Sequence, residues 1–314
     1  MTAPAPRPPT ALAEVVRAAA AAAGTTSRTA KTATLAGLLT QLAPDEAPIA
    51  VGLLLGRPVQ GRLGVGWRTV RNESGEPAAE ASLTIGDVDA AFTVLANAAG
   101  PGSVTRRSAA LSGLLARAVS GEQDFLIRVL TGEVRTGALA GVLTDAIAVA
   151  AGLPKDRVRR AAMLTGDLGA TARAALAGDD LTRIDLTPGT PVQPMLAASA
   201  PGVDEAVAVT GPASVEYKLD GARLQVHRRA GQVRAYTRSL ADVTERVPEI
   251  VDLVAGFPGG DLVLDGETLT LDESGRARPF QETMSRFGGH GDRGACCAVG
   301  ELLRSALRRP QPDR

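Results

Sequence analysis

From Thr10 to about Ala177 the apolar residues of the chain recur at helical spacing. Leu35, Leu38, Leu39 and Leu42 follow i, i+3, i+4, i+7 behind Ser27, a residue type that caps helix N-termini. Val88, Ala91, Phe92 and Leu95 repeat the pattern, as do Leu111, Leu114, Leu115 and Ala118. Further helices are predicted over 121–131, 136–151, 155–164 and 168–177, while 56–82, rich in Gly, Pro and polar residues, reads as a loop. The expectation is an all-α domain over 10–180, its amphipathic faces packed inward, preceded by a Pro/Ala-rich, disordered 1–9.

The periodicity changes near Gly178. Residues 181–194, with Thr187-Pro188-Gly189-Thr190-Pro191, read as a linker. Beyond it, two-residue alternation predicts strands over 215–219, 223–228, 232–237 and 262–267, with a hairpin turn at Arg229–Gly231 and a helix near 244–255. The fold class is therefore multidomain: all-α, then an α+β domain with an antiparallel sheet over 195–288. Residues 289–314 form an atypical tail that continues no strand pattern.

Composition narrows the chemistry. The 314 residues include two cysteines, adjacent at Cys296 and Cys297, and two histidines, His227 and His290. A disulfide framework, a Cys/His zinc site and a Ser-His-Asp triad are all poorly supplied. His227, expected mid-strand beside Arg228, reads as exposed or half-packed rather than catalytic. Aromatic residues are only 3%, which argues against gripping single strands by stacking. No apolar run approaches a membrane span, so an intracellular monomer with no membrane contact is expected. Lys+Arg and Asp+Glu are both 34, but the basic residues are 31 Arg and three Lys (Lys31, Lys155, Lys218). Lysine, unlike arginine, can shed its proton and act as a nucleophile, so each lysine matters.

Lys218 stands in Glu216-Tyr217-Lys218-Leu219-Asp220-Gly221-Ala222-Arg223. On a strand Glu216 and Lys218 share a face, and Asp220-Gly221 is expected to turn the chain into a second strand from Arg223. A lysine and an arginine at the neck of a hairpin, beside two carboxylates, suit a phosphate ester. Arg223 would favour the neutral amine of Lys218, which would then attack phosphorus.

Lys-x-Asp-Gly-x-Arg preceded by Glu-x resembles the nucleotidyltransferase motif of ATP-dependent DNA ligases, shared with RNA ligases and mRNA capping enzymes. The resemblance implies that Lys218 becomes covalently adenylated, that Glu216 holds the adenine side, and that Arg223 contacts the ribose or phosphates. Tyr236-Thr237-Arg238-Ser239 resembles the next motif, with Arg238 as a nucleotide contact. Leu264-Asp265-Gly266-Glu267 resembles the following one, with Glu267 contacting the ribose and placing a divalent metal. Arg278-Pro279-Phe280-Gln281 is similar to a segment these ligases carry shortly afterwards.

The helical half separates the relatives, because capping enzymes and small RNA ligases begin near their lysine. Arg62–Trp67, Gly132–Ala138 and Ala161–Gly169 resemble the DNA-binding domain of bacterial, archaeal-type ligases, in a form similar to the actinobacterial one. Pro194-Met195-Leu196-Ala197 resembles the opening of their catalytic domain. The resemblance thus implies an N-terminal all-α DNA-binding domain, a partial adenylation domain, ATP and Mg²⁺ as cofactors, and nicked double-stranded DNA as partner. It also implies cytoplasmic, nucleoid-associated work in DNA repair, replication or recombination.

Residues 1–190 carry 19 basic and 17 acidic side chains, a net of +2. The basic ones bunch at Arg106, Arg107 and Arg117 and at Lys155, Arg157, Arg159 and Arg160. Arg106, Arg107, Arg135, Lys155, Arg159 and Arg160 are the candidate phosphate contacts. No lysine follows Lys218, and after Gly289 neither the family's late nucleotidyltransferase motifs nor its OB-fold domain follows. The tail accordingly reads as the product of a frameshift or truncation, leaving an incomplete catalytic apparatus. The rival reading is a noncatalytic protein that binds nicked or intact duplex.

Overall fold

The computed structural model describes residues 8–134, 140–195, 198–213 and 220–269, together with 272, 274, 276, 278 and 281. The chain divides into two compact units, one ending at Ile184 and the other beginning at Asp185.

The first unit is helical: α1 (Leu12–Ala23), α2 (Arg28–Gln41), α3 (Ala47–Leu55), α4 (Trp67–Glu73), α5 (Ile85–Asn97), α6 (Ser103–Arg117), α7 (Ser120–Thr131), α8 (Ala140–Ala151), α9 (Lys155–Thr165) and α10 (Leu168–Ala177). The expected stripes are its core. Leu35, Leu39, Phe92, Leu95, Leu111 and Leu115 are all buried, each fully buried side chain contributing about 1.5–3 kcal/mol. Ser27 caps α2 by accepting from the Ala30 amide at 3.3 Å. Thr84 and Asp87 cap α5 reciprocally. The Thr84 hydroxyl accepts from the Asp87 amide, and the Asp87 carboxylate accepts from the Thr84 amide. The Thr84 hydroxyl, which also donates to that carboxylate at 2.7 Å, lowers the Asp87 pKa to about 2 with help from the Thr84 amide and Arg117.

Helix α4 lies inside the stretch expected as loop. Val70 is its one buried residue and glycines flank its start, so no repeating apolar stripe betrays it. The expected helix over 136–151 is present from Ala140, and 136–139 lie outside the described residues.

The second unit contains α11 (Val203–Thr210), β1 (Ala222–Arg229), β2 (Gln232–Thr237), α12 (Pro248–Ala255) and β3 (Leu262–Thr268). The sheet is antiparallel with order β2-β1-β3. The expected hairpin joins β1 to β2: Arg229 pairs with Gln232, and Ala230 (φ +47°) and Gly231 (φ +80°) both take left-handed backbone. One face of the sheet is apolar, with Leu224, Val226, Ala235 and Leu264 packed with Ile250 and Val254 of α12. The other face is polar and carries the candidate site.

β1, entered from Asp220–Gly221, pairs with β3 from Ala222 and with β2 from Leu224. Residues 215–219, the strand expected before that turn, lie outside the described residues.

Candidate active site

Lys218 and Glu216 lie outside the described residues. What the structure describes is the ground they lead onto. Asp220 and Gly221 run directly into β1, and the Gly221 amide donates to Glu267 Oε1 on β3 at 3.1 Å. A Cβ at Gly221 would stand 2.6 Å from Leu269 Cδ2 and press on the Thr268 carbonyl oxygen. Glycine is required here by close approach to β3, and the turn is tied to the sheet at the residue pair where chemistry is expected.

Arg223 lies directly opposite Glu267 in the β1–β3 register. Its Nε donates to Asp265 Oδ1 at 2.9 Å and its Nη2 to Oδ2, a bidentate fork across the strands. Asp265 and Glu267 are two residues apart, so both carboxylates project from the polar face. The Asp265 hydrogen bonds raise the Arg223 pKa; burial opposes them, and the charges of Asp265 and Glu267 add to them. Arg223 is thus largely compensated. The fork also holds Asp265 in place; the amine on which Arg223 was expected to act, Lys218, lies outside the described residues. Asp265 went unassigned in the sequence, although the alternation of Leu264–Glu267 already places it beside Glu267.

Thr237, the last residue of β2, pairs with Leu224, and the exposed Arg238 follows in a turn closed by the Leu240 amide donating to Thr237 O at 2.9 Å. Arg223 and Glu267 stand side by side across β1 and β3, and Arg238 lies beyond the end of β2. Glu267 Oε2 has no hydrogen-bond partner among the described residues. No group of three His, Cys, Asp or Glu suited to hold a metal occurs among them. A divalent ion held by one carboxylate oxygen and by substrate phosphates fits this donor set.

The polar face is closed further along by the segment before residue 195. Gly189 N donates to His227 Nδ1 at 3.0 Å, Val192 N to Gln225 Oε1 at 2.9 Å, and Tyr236 Oη to Gly189 O at 2.9 Å. His227 is only 1% exposed and meets the Tyr236 ring edge-on at 5.2 Å. This corrects its reading as exposed or half-packed. Burial lowers its pKa to about 4, so it stays neutral and accepts through Nδ1. It is a structural residue.

The candidate phosphate contacts fare differently. Arg106 donates to Ala99 O (2.7 Å) and Pro101 O (3.1 Å). Arg107 donates to the carbonyls of Leu63 (2.6 Å), Gly64 (3.2 Å) and Leu95. Arg159 pairs with the buried Asp145 at 2.7 Å, and Arg160 donates to Ile184 O at 2.7 Å. Burial works to raise the Asp145 pKa, but hydrogen bonds from Arg28 and Arg159 outweigh it and hold the carboxyl low. These four arginines tie the fold through carbonyl and carboxylate partners that their clustering in the sequence does not reveal. Arg135 lies outside the described residues. Lys155, exposed at the start of α9, makes no hydrogen bond or ion pair among the described residues.

Two family models match the chain: the ATP dependent DNA ligase domain over residues 194–299, and the DNA ligase N terminus over 61–148. The chain belongs to the ATP-dependent DNA ligase family. The first match runs to residue 299, past the neighbourhood of 287 where the motifs give out. The chain is similar to a probable DNA ligase of Pseudarthrobacter chlorophenolicus, 56% identical over 279 residues, covering 88% of this chain and 55% of that protein. It is similar also to probable DNA ligases of Saccharopolyspora erythraea (51% identical; 90% of this chain, 56% of that protein) and Streptomyces griseus (50%; 90% and 55%). This ligase-family chain spans about half the length of the curated relatives it matches. No helix among the described residues is long and apolar enough to cross a membrane.

Proposed function

We propose that this chain supplies the DNA-gripping and adenylating parts of an ATP-dependent DNA ligase that seals nicks in duplex DNA through a lysyl-AMP intermediate. The observation that carries the reading is the pairing of Arg223 with Glu267 across β1 and β3, with the Gly221 amide tying the chain that enters β1 to Glu267.

In the proposed reaction Lys218 Nζ attacks the α-phosphorus of ATP. A P–N bond forms, the P–O bond to pyrophosphate breaks, and pyrophosphate leaves. A 5′-phosphate oxygen at the nick then takes the AMP from the lysine, breaking the P–N bond. The 3′-hydroxyl finally attacks the activated phosphorus and AMP departs. Dividing one condensation into exchanges lowers each barrier. Arg238 and Glu216 orient the nucleotide, and the Arg223–Asp265 fork holds Glu267 at its station. Glu267 would offer an oxygen to Mg²⁺, which when bound would supply positive charge against the phosphates. In-line placement supplies most of the acceleration. A reaction on chromosomal nicks places the work at the nucleoid, in the cytoplasm.

Incubation with α-labelled ATP and Mg²⁺ tests this. Label retained on the wild-type chain and absent from Lys218→Ala is expected. Absence of label from both, with nicked duplex still bound, would leave a noncatalytic DNA-binding protein.

A further inference from the structure

Most arginines of the helical unit are tied. Arg28, Arg106, Arg107, Arg117, Arg159 and Arg160 each donate to a carbonyl or a carboxylate. One segment departs from this. Arg57, Arg62, Arg68 and Arg71 are all exposed, and residues 57–72 contain no Asp or Glu. None of these four guanidiniums has a hydrogen bond or ion pair among the described residues. Among them stands Trp67, the chain's one tryptophan, 55% exposed at the start of α4. Trp67 and Arg71 are four residues apart on that helix and share a face.

The segment is nonetheless held firmly from beneath. Leu63, Val65 and Val70 are buried, and Arg107 clasps the Leu63 and Gly64 carbonyls. The Gln60 amide donates to Asp89 Oδ1 at 2.7 Å and to Thr93 Oγ1 at 2.9 Å. Uncompensated cations around an open indole, on backbone fixed by the core, form a surface prepared for a polyanion that also offers an apolar wall. A single aromatic provides no series of stacking platforms, which favours a duplex over a single strand.

We infer that residues 57–71 form a contact surface for duplex DNA, with Arg62, Arg68 and Arg71 reaching phosphates and Trp67 lying against the groove wall. The inference rests on the ligase reading above, and its test separates the two. The full chain is titrated with dye-labelled nicked duplex, following dye anisotropy and Trp67 emission together. Emission should change in step with anisotropy, and acrylamide quenching should fall at least about twofold. Arg62→Gln/Arg68→Gln/Arg71→Gln changes exposed side chains only, so its melt should match wild type. Its affinity should fall more than about tenfold near 0.1 M salt, with the salt slope reduced by about 2–3. Rising anisotropy with unchanged Trp67 emission, or wild-type affinity in the triple variant, would overturn the surface while leaving the ligase reading intact. No anisotropy change at low salt would remove both. Emission that shifts with protein concentration alone would make this a self-association face and overturn the inference.

Discussion

The two units use arginine in opposite ways. In the helical unit the segment 57–71 leaves its guanidiniums open, while most of the others strap backbone carbonyls from exposed positions. In the sheet unit Arg223 and Arg228 are held by partners on the sheet and around α12. Arg223 is forked onto Asp265, and Arg228, 5% exposed, donates to the carbonyls of Val254, Phe257, Gly259 and Gly260 around the end of α12. The contrast separates two kinds of cation. An open one attracts phosphate without orienting it, whereas one held by a carboxylate or a ring of carbonyls fixes geometry.

Replacing arginines in both units tests the contrast most severely. Arg228→Met removes the donor from several buried carbonyls at once and should destabilise the sheet unit by about 3–5 kcal/mol. Arg106→Met, at an exposed strap, should cost under about 1 kcal/mol. Urea unfolding followed by circular dichroism measures both, and similar losses would erase the distinction.

Next in size is Glu267→Gln. The amide oxygen still accepts from Gly221, so the turn stays in place while the charge is lost. Adenylation should fall about 10²-fold with an unchanged melt. A drop in stability instead would make Glu267 a structural residue.

His227 gives a pH test of the polar face. The unfolded imidazole protonates near 6.5 and the folded one near 4, so its contribution is complete above pH 6.5 and is lost as pH falls from 6.5 to 4. The sheet unit should lose up to about 3 kcal/mol over that interval, and His227→Gln should flatten the dependence. A wild-type curve already flat there would contradict the buried neutral ring. The smallest effect is expected at the β1–β2 turn. Ala230→Gly relieves a left-handed alanine and should stabilise by about 0.5–1 kcal/mol, read as a higher urea midpoint.

Much of the fold was legible because its cores are built from periodic aliphatics, as in Leu35–Leu42 and Leu111–Ala118. Helix α4 was not, because a single buried valine makes no period. Of the motif residues, Arg223 and Glu267 are brought opposite each other by the register, and Arg238 follows the end of β2. What escaped was set by distant partners. Gly221 is needed by its close approach to Thr268 and Leu269, His227 is covered by Gly189, and Arg107 is drawn to Leu63 and Leu95. Local spacing carries none of that information.

The most direct measurement is to map the adenylate after reaction with labelled ATP and Mg²⁺. The label should sit in the peptide containing Lys218 and be released by acid, as a phosphorus–nitrogen bond requires. Label on another residue, or nucleotide that washes away without any covalent product, would contradict the assignment of that amine as the nucleophile.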